Sequence, residues 1–225
     1  MGSRLQVIYE NPACCHFSFD LWLTLIRSNP AFKAERNVLF KSFFAISKPL
    51  EEVARVIRHH DVLANRISES TGQHIHAERI YCRILHELKV NINELTRKEI
   101  VSFQAAADQL FMHYKPILIN SSIRSYFQAI KTAGKTISIL SNTAFISGVV
   151  LRKLLDHYEL SELISFQLYS DETGFSKPAA GAFDLVFRYA NTIRPLNRSD
   201  ILHIGDNPAA DYQGAINYGF KAILI

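Results

Sequence analysis

Short apolar runs that stop on clusters of small polar or acidic residues constrain this chain most. HFSF, residues 16–19, stops on Asp20; TISIL, 136–140, stops on Ser141 and Asn142; ILHI, 201–204, stops on Gly205, Asp206 and Asn207. Runs of this length between turn formers read as buried strands. LISFQLYS and the terminal KAILI read the same way, while the stretches between them have helical spacing. Ser121 or Ser122 caps a helix carrying Ile123, Phe127 and Ile130 that ends at Gly134. Others cover about 147–158, AFDLVFRYAN, and Ala209 to Tyr218, the last stopped by Gly219. Alternating strands and helices call for a parallel sheet covered on both faces, a doubly wound α/β core.

Residues 28–115 interrupt this alternation and read as helices only. Phe32, Leu39, Phe40, Phe43 and Phe44 recur at helical spacing and read as core packing. Pro49 with Glu51 and Glu52 opens a helix whose stripe is Val53, Val56, Ile57 and Leu63, and Ile80, Tyr81, Ile84, Leu85 and Leu88 continue the pattern. Thr96 and Glu99 form a capping box ahead of Ile100, Phe103, Leu110 and Phe111. The expected organisation is a core of residues 1–27 and 116–225 with a helical cap, 28–115, inserted after the first strand. Crossover connections place all strand carboxyl ends on one sheet edge, so Asp20, Ser141, Lys177 and Asp206 can share a crevice.

Read in order, four short patterns follow one another, three of them at those strand ends. They are D-x-x-x-T (Asp20, Thr24), S-N (Ser141, Asn142), K-P (Lys177, Pro178, after Gly174) and G-D-N-x-x-x-D (Gly205 to Asn207, with Asp211). The series resembles the four motifs of the haloacid dehalogenase-like (HAD) hydrolase superfamily over residues 15–225. Each pattern alone has a plainer reading: a helix cap for Asp20, a turn for Ser141 and Asn142, a surface lysine for Lys177, acids at a helix start for Asp206 and Asp211. Their order, and three strand ends among them, make the series specific.

The resemblance implies a Rossmann-like core and a Mg²⁺-dependent phosphatase of a small phosphorylated molecule, working through an aspartyl-phosphate on Asp20. On that reading Mg²⁺ is held by the Asp20 side chain, the main-chain carbonyl of Trp22 and Asp206, with Asp211 orienting the metal shell. Ser141 with Asn142 and main-chain N–H groups, and Lys177, hold the non-reacting phosphate oxygens. Thr24 belongs to the same phosphate end and helps fix the turn after the first strand.

One position departs from the pattern. Most HAD phosphatases carry a second Asp two residues after the first, which protonates the leaving group and later activates water; here it is Trp22. An indole N–H has no accessible proton equilibrium, and loss of a general acid and base costs about 10²- to 10⁴-fold in rate. The chain would then act on phosphates with good leaving groups, recruit an acid from the cap, or bind phosphoryl compounds without turnover. The haloacid dehalogenases also place an aromatic residue there and use the same Asp without Mg²⁺, but they lack the acid equivalent to Asp206. Phosphonate hydrolysis through a cap lysine has candidates in Lys33, Lys41 and Lys48 but no motif around them. His59, His60, Asp61, His74 and His76 complete no zinc spacing and read as solvated helix faces.

Composition excludes other classes. At 225 residues, 48% hydrophobic and 20% charged, the chain is globular. A net charge of +4 from scattered Lys and Arg implies no nucleic acid. Cys14, Cys15 and Cys82 give an odd count without a C-x-x-C spacing, so a reducing cytoplasm is expected, with the adjacent pair packed at a strand start. No signal-peptide run is present and nothing approaches the roughly 20 apolar residues of a membrane span. Oligomeric state is not written in the sequence.

Overall fold

The computed structural model describes residues 14–225; the part of the expected core at residues 1–13 lies outside them. Strand β1 (His16–Phe19) is buried along its whole length because it forms the middle of a five-stranded sheet. Its neighbours are β4 (Thr136–Ser141) and β6 (Ile201–Gly205), with β5 (Phe166–Tyr169) and β7 (Lys221–Leu224) outside them in the order β5-β4-β1-β6-β7. Every pairing is parallel, with Phe17 opposite Ile137 and Leu202.

Alternation along these strands serves two faces. Phe17, Phe19, Ile137, Ile139, Leu202 and Ile204 pack with the helix at Ile123–Thr132 and the helix at Gly148–His157. Leu140, Leu168 and Ile201 face the helix at Ala180–Ile193 together with Tyr218 and Phe220. Apolar side chains removed from water on both faces supply the main driving force for this arrangement. The sheet also buries polar groups. His16 bonds Thr136 Oγ1 at 2.7 Å and Ser138 Oγ at 2.8 Å, and burial followed by the nearby Arg194 pushes its pKa down to about 3, so the ring is neutral.

After β1, and ahead of the helix at Ile123–Thr132, the chain forms four helices: α1 (Pro30–Phe43), α2 (Leu50–Thr71), α3 (Ala77–Glu87) and α4 (Arg97–His113). Their own core, around Phe40, Val56, Tyr81, Ile84 and Phe103, also takes in Phe145 from the loop after β4. The expected Thr96–Glu99 capping box is present at the start of α4. Two short strands, β2 (Ile26–Arg27) and β3 (Ile117–Leu118), pair antiparallel and bring the entry and exit of the helical segment side by side.

The helical segment is tied to the core elsewhere. Helix α2 ends at Gly72, at φ 69°, where a Cβ would sit 2.4 Å from Ala179 Cβ, so only glycine allows the approach. Past it, His74 N–H donates to Gly174 O at 3.1 Å and Ser176 N–H donates to Gly72 O at 2.8 Å.

Local readings differ from the structure in three places. Ser122 stands at the N-cap of the helix at 123 but its hydroxyl makes no capping bond; Asn120 Oδ1 accepts the Ser122 N–H. The turn expected as α-helix from Ala209 is wider, a π-helical stretch Pro208–Gln213 leading into an α-helix at Gly214–Tyr218. There the Asn207 side chain takes the Ala209 and Ala210 N–H groups while its carbonyl takes those of Asp211 and Tyr212. His60 and His74 are not solvated helix-face residues: His60 is buried against Glu87 at 2.9 Å, and His74 reaches Ser170 Oγ at 3.1 Å.

Candidate active site

Parallel pairing carries β1, β4 and β6 to one edge, and their carboxyl ends deliver Asp20, Asn142 and Asp206 to a single crevice of about 340 Å³. Lys177 arrives from the loop after β5 and Asp211 from the wide turn after β6. The ammonium of Lys177 is buried and lies 2.7 Å from Asp20 Oδ1 and 2.5 Å from Asp211 Oδ1. Asp20 Oδ2 is buried with no hydrogen-bond partner. Oxygens of Asp20, Asp206 and Asp211 lie within 4.8 Å of one another.

Electrostatics follow from this packing. Burial pushes the Asp20 carboxyl up to about 6, against the pull of Lys177 and with the push of Asp211 and Asp206. Asp211 is held well below the carboxylate range: burial works against ionisation there, but Lys177 and a hydrogen bond from His203 outweigh it. Lys177 is held above the ordinary lysine value because Asp20 and Asp211 outweigh its burial. Asp206, half-buried, is raised by burial and by Asp211. His203, fully buried, is lowered by burial, so its ring is neutral. Its Nε2 donates to Asp211 Oδ1 at 3.1 Å and its Nδ1 accepts from Ser18 Oγ at 2.9 Å, the tautomer an acceptor-only carboxylate demands.

Three carboxylates with an all-oxygen donor set and one orphaned buried oxygen suit a hard divalent cation such as Mg²⁺. Asp211, expected to orient the metal shell, stands inside the acid cluster itself and also bonds Lys177, His203 and the Asn207 N–H. Gly205 makes room for it: a Cβ there would meet Asp211 Cγ at 2.2 Å. Trp22 lines the crevice beside Asp20, its ring edge-on to Phe111 with centroids 6.2 Å apart. Leu23, next to it, adopts φ 59° in a turn closed by Leu23 N–H to Ile26 O at 2.7 Å.

The remaining expected residues are placed differently from one another. Asn142 reaches the crevice, but both ends of its amide are spent on the main chain of Lys177, accepting its N–H at 2.7 Å and donating to its carbonyl at 2.9 Å. It therefore holds the lysine loop. Ser141 is buried, and its hydroxyl donates to the Asn142 carbonyl at 3.2 Å. Thr24 is buried in the turn after β1, its hydroxyl without a partner among the described residues.

The helical segment closes the other side with Phe32, Lys33 and Arg36 of α1 and Asp61, Asn65 and Glu69 of α2. Glu69 accepts from Asn207 Nδ2 at 2.9 Å, a direct link between α2 and the loop after β6. Nothing in the linear sequence marks Arg36, Asn65 or Glu69. Only His203 carried a local signal, a polar residue inside an otherwise apolar strand.

A family model described as haloacid dehalogenase-like hydrolase matches residues 16–219. No curated protein sequence matches the chain. Among solved structures, the chain is similar to one described as the HAD-hydrolase YfnB from Bacillus subtilis bound to magnesium, at 17% identity and TM-score 0.69, covering 94% of this chain and 88% of that one. It is also similar to a 2-haloacid dehalogenase from Pseudomonas syringae pv. Tomato, at 18% identity and TM-score 0.64 over 94% and 86% of the two chains. A predicted phosphoglycolate phosphatase from Haemophilus somnus follows at 17% identity and TM-score 0.64 over 95% and 86%. At such identities the likeness establishes the fold.

Proposed function

Because the chain belongs to the haloacid dehalogenase-like hydrolases, we propose that it is a Mg²⁺-dependent phosphatase of a small phosphorylated molecule, with Asp20 as nucleophile. The observation that carries this reading is the cluster of Asp20, Asp206 and Asp211 around one point, with the buried Asp20 Oδ2 lacking any partner. Asp20, Asp206 and the Trp22 carbonyl would hold the ion, Asp211 supporting them. When bound, it neutralises these acids and polarises the phosphoryl group.

The protein's own residues do the rest. Asp20, ionised and aimed by Lys177 through Oδ1, forms a bond to phosphorus as the bond from phosphorus to the leaving oxygen breaks, and water later hydrolyses the acyl phosphate. Lys177, which Asn142 fixes through its peptide, places a positive charge beside the transferring group. The leaving oxygen needs a proton that Trp22 cannot give. The carboxyl groups that line the crevice from α2 are Asp61 and Glu69. Residues 28–115 serve as a cap whose closure excludes water.

The test is p-nitrophenyl phosphate hydrolysis with and without Mg²⁺, comparing the native protein with Asp20→Asn; this leaving group departs without protonation. Mg²⁺-dependent turnover lost in the variant supports the reading. No turnover while Mg²⁺ binds moves the protein to a phosphoryl-binding role.

A second reading rests on Trp22 at the crevice wall: Asp20 would attack carbon and displace halide from a 2-haloacid. Halide release without any divalent ion would favour it, and the acid cluster argues against it.

A further inference from the structure

Arg36 lines the crevice from α1, and its state is unusual for an arginine so placed. Its guanidinium lies 4.9 Å from the centre of the Phe145 ring and 5.8 Å from that of Phe32. Its Nε is buried without a hydrogen-bond partner. Among the described residues no carboxylate stands at ion-pair distance from it. Asp61, the carboxylate that acts on it after the Tyr81 phenol, is bonded to Arg58 at 3.2 Å. A guanidinium nitrogen withdrawn from water and left unpaired forgoes a hydrogen bond that a ligand could supply. Cation–π contacts with Phe145 and Phe32 hold the group at the crevice wall, where its fork can meet a planar or tetrahedral oxyanion.

Two cation sites therefore face one crevice. Lys177 stands at the sheet edge with its charge committed to Asp20 and Asp211. Arg36 stands on the helical side, its charge committed to nothing within the described chain. We propose that Arg36 binds a second anionic group of the substrate, remote from the phosphoryl group, so that the substrate class is a small phosphorylated molecule bearing a further carboxylate or phosphate. This rests on the phosphatase reading for the phosphoryl end alone. The volume of the crevice favours a compact molecule. Lys33, on the same helix and at the same wall, adds positive potential at that end.

The experiment measures binding, so it does not depend on turnover. Calorimetric titrations in Mg²⁺ compare methylphosphonate, phosphonoacetate and methylenediphosphonate on the native protein, Arg36→Met and Arg36→Lys. Arg36→Met removes the charge while keeping an unbranched side chain; Arg36→Lys keeps the charge but loses the fork. A doubly anionic probe should bind the native protein at least about 10-fold more tightly than methylphosphonate, the scale of a charge-assisted bidentate contact. The gap should close in Arg36→Met and shrink in Arg36→Lys. A gap for phosphonoacetate assigns the second group as carboxylate, and one confined to methylenediphosphonate assigns it as phosphate. Equal affinities in the native protein, or a gap that survives both substitutions, overturn the proposal. Failure of the phosphatase reading shows separately, as absent p-nitrophenyl phosphate turnover, since that substrate has no second anion.

Discussion

Replacing Lys177 by Met isolates the charge balance of the site. The ammonium lies 2.7 Å from Asp20 and 2.5 Å from Asp211, and all three side chains are withdrawn from water. At an effective dielectric constant near 20, one such contact is worth about 6 kcal/mol before desolvation is deducted. Most of that is offset in the intact network. Removing the cation alone leaves two buried carboxylates facing each other, which costs about 3–5 kcal/mol. The sign with pH follows from Asp20. Its folded pKa, about 6, lies above the unfolded value of 3.8, so its neutral form is favoured in the fold and its ionisation opposes folding increasingly as pH rises through 6. Without Lys177 that pKa rises further. Urea unfolding of Lys177→Met in a chelator should therefore show a loss of about 3–5 kcal/mol at pH 8 that shrinks at pH 5, and added Mg²⁺ should restore part of it at pH 8. A loss under about 1 kcal/mol, or one equal at both pH values, would refute the buried-network argument.

Three further outcomes follow from the same geometry. Gly205→Ala would drive a Cβ into Asp211, and displacing that acid by about 1 Å should lower turnover on the order of 100-fold; unchanged steady-state rates would count against Asp211's placement. Asn142→Ala removes both hydrogen bonds to the Lys177 peptide and should cost about 1–3 kcal/mol in urea unfolding, with a lower kcat. In metal-free protein the Asp20 carboxyl should titrate near pH 6 by carbon NMR and move to lower pH on adding Mg²⁺; a midpoint near 4 without metal would contradict its desolvation.

The fold was legible because its signals are local. The strands β1, β4 and β6 are short runs ended by turn formers, and the helix at Gly148–His157 has the period that reading a single stretch detects. Two departures fell where a side chain captured backbone donors: Asn120, not a serine hydroxyl, makes the side-chain bond at the start of one helix, and Asn207 widened the turn that holds Asp211. Phe32 illustrates a mixed case, buried as its spacing requires yet also part of the crevice wall.

By itself the sequence determined the alternation of strands and helices, the helical interruption and the polar strand ends, because periodicity and strand termination depend on neighbouring residues. It also determined that Trp22 stands where an acid would be expected. Only the tertiary structure decided what those groups face. Burial raises Asp20 and its contact with Lys177 opposes the rise; Asn142 is turned to the lysine loop; His203 supports Asp211 from inside the sheet. Arg36 and Glu69 reach the crevice through helices that meet the sheet edge only after folding. Desolvation, charge proximity and hydrogen-bond choice are properties of three-dimensional neighbours, and a linear pattern carries no record of them.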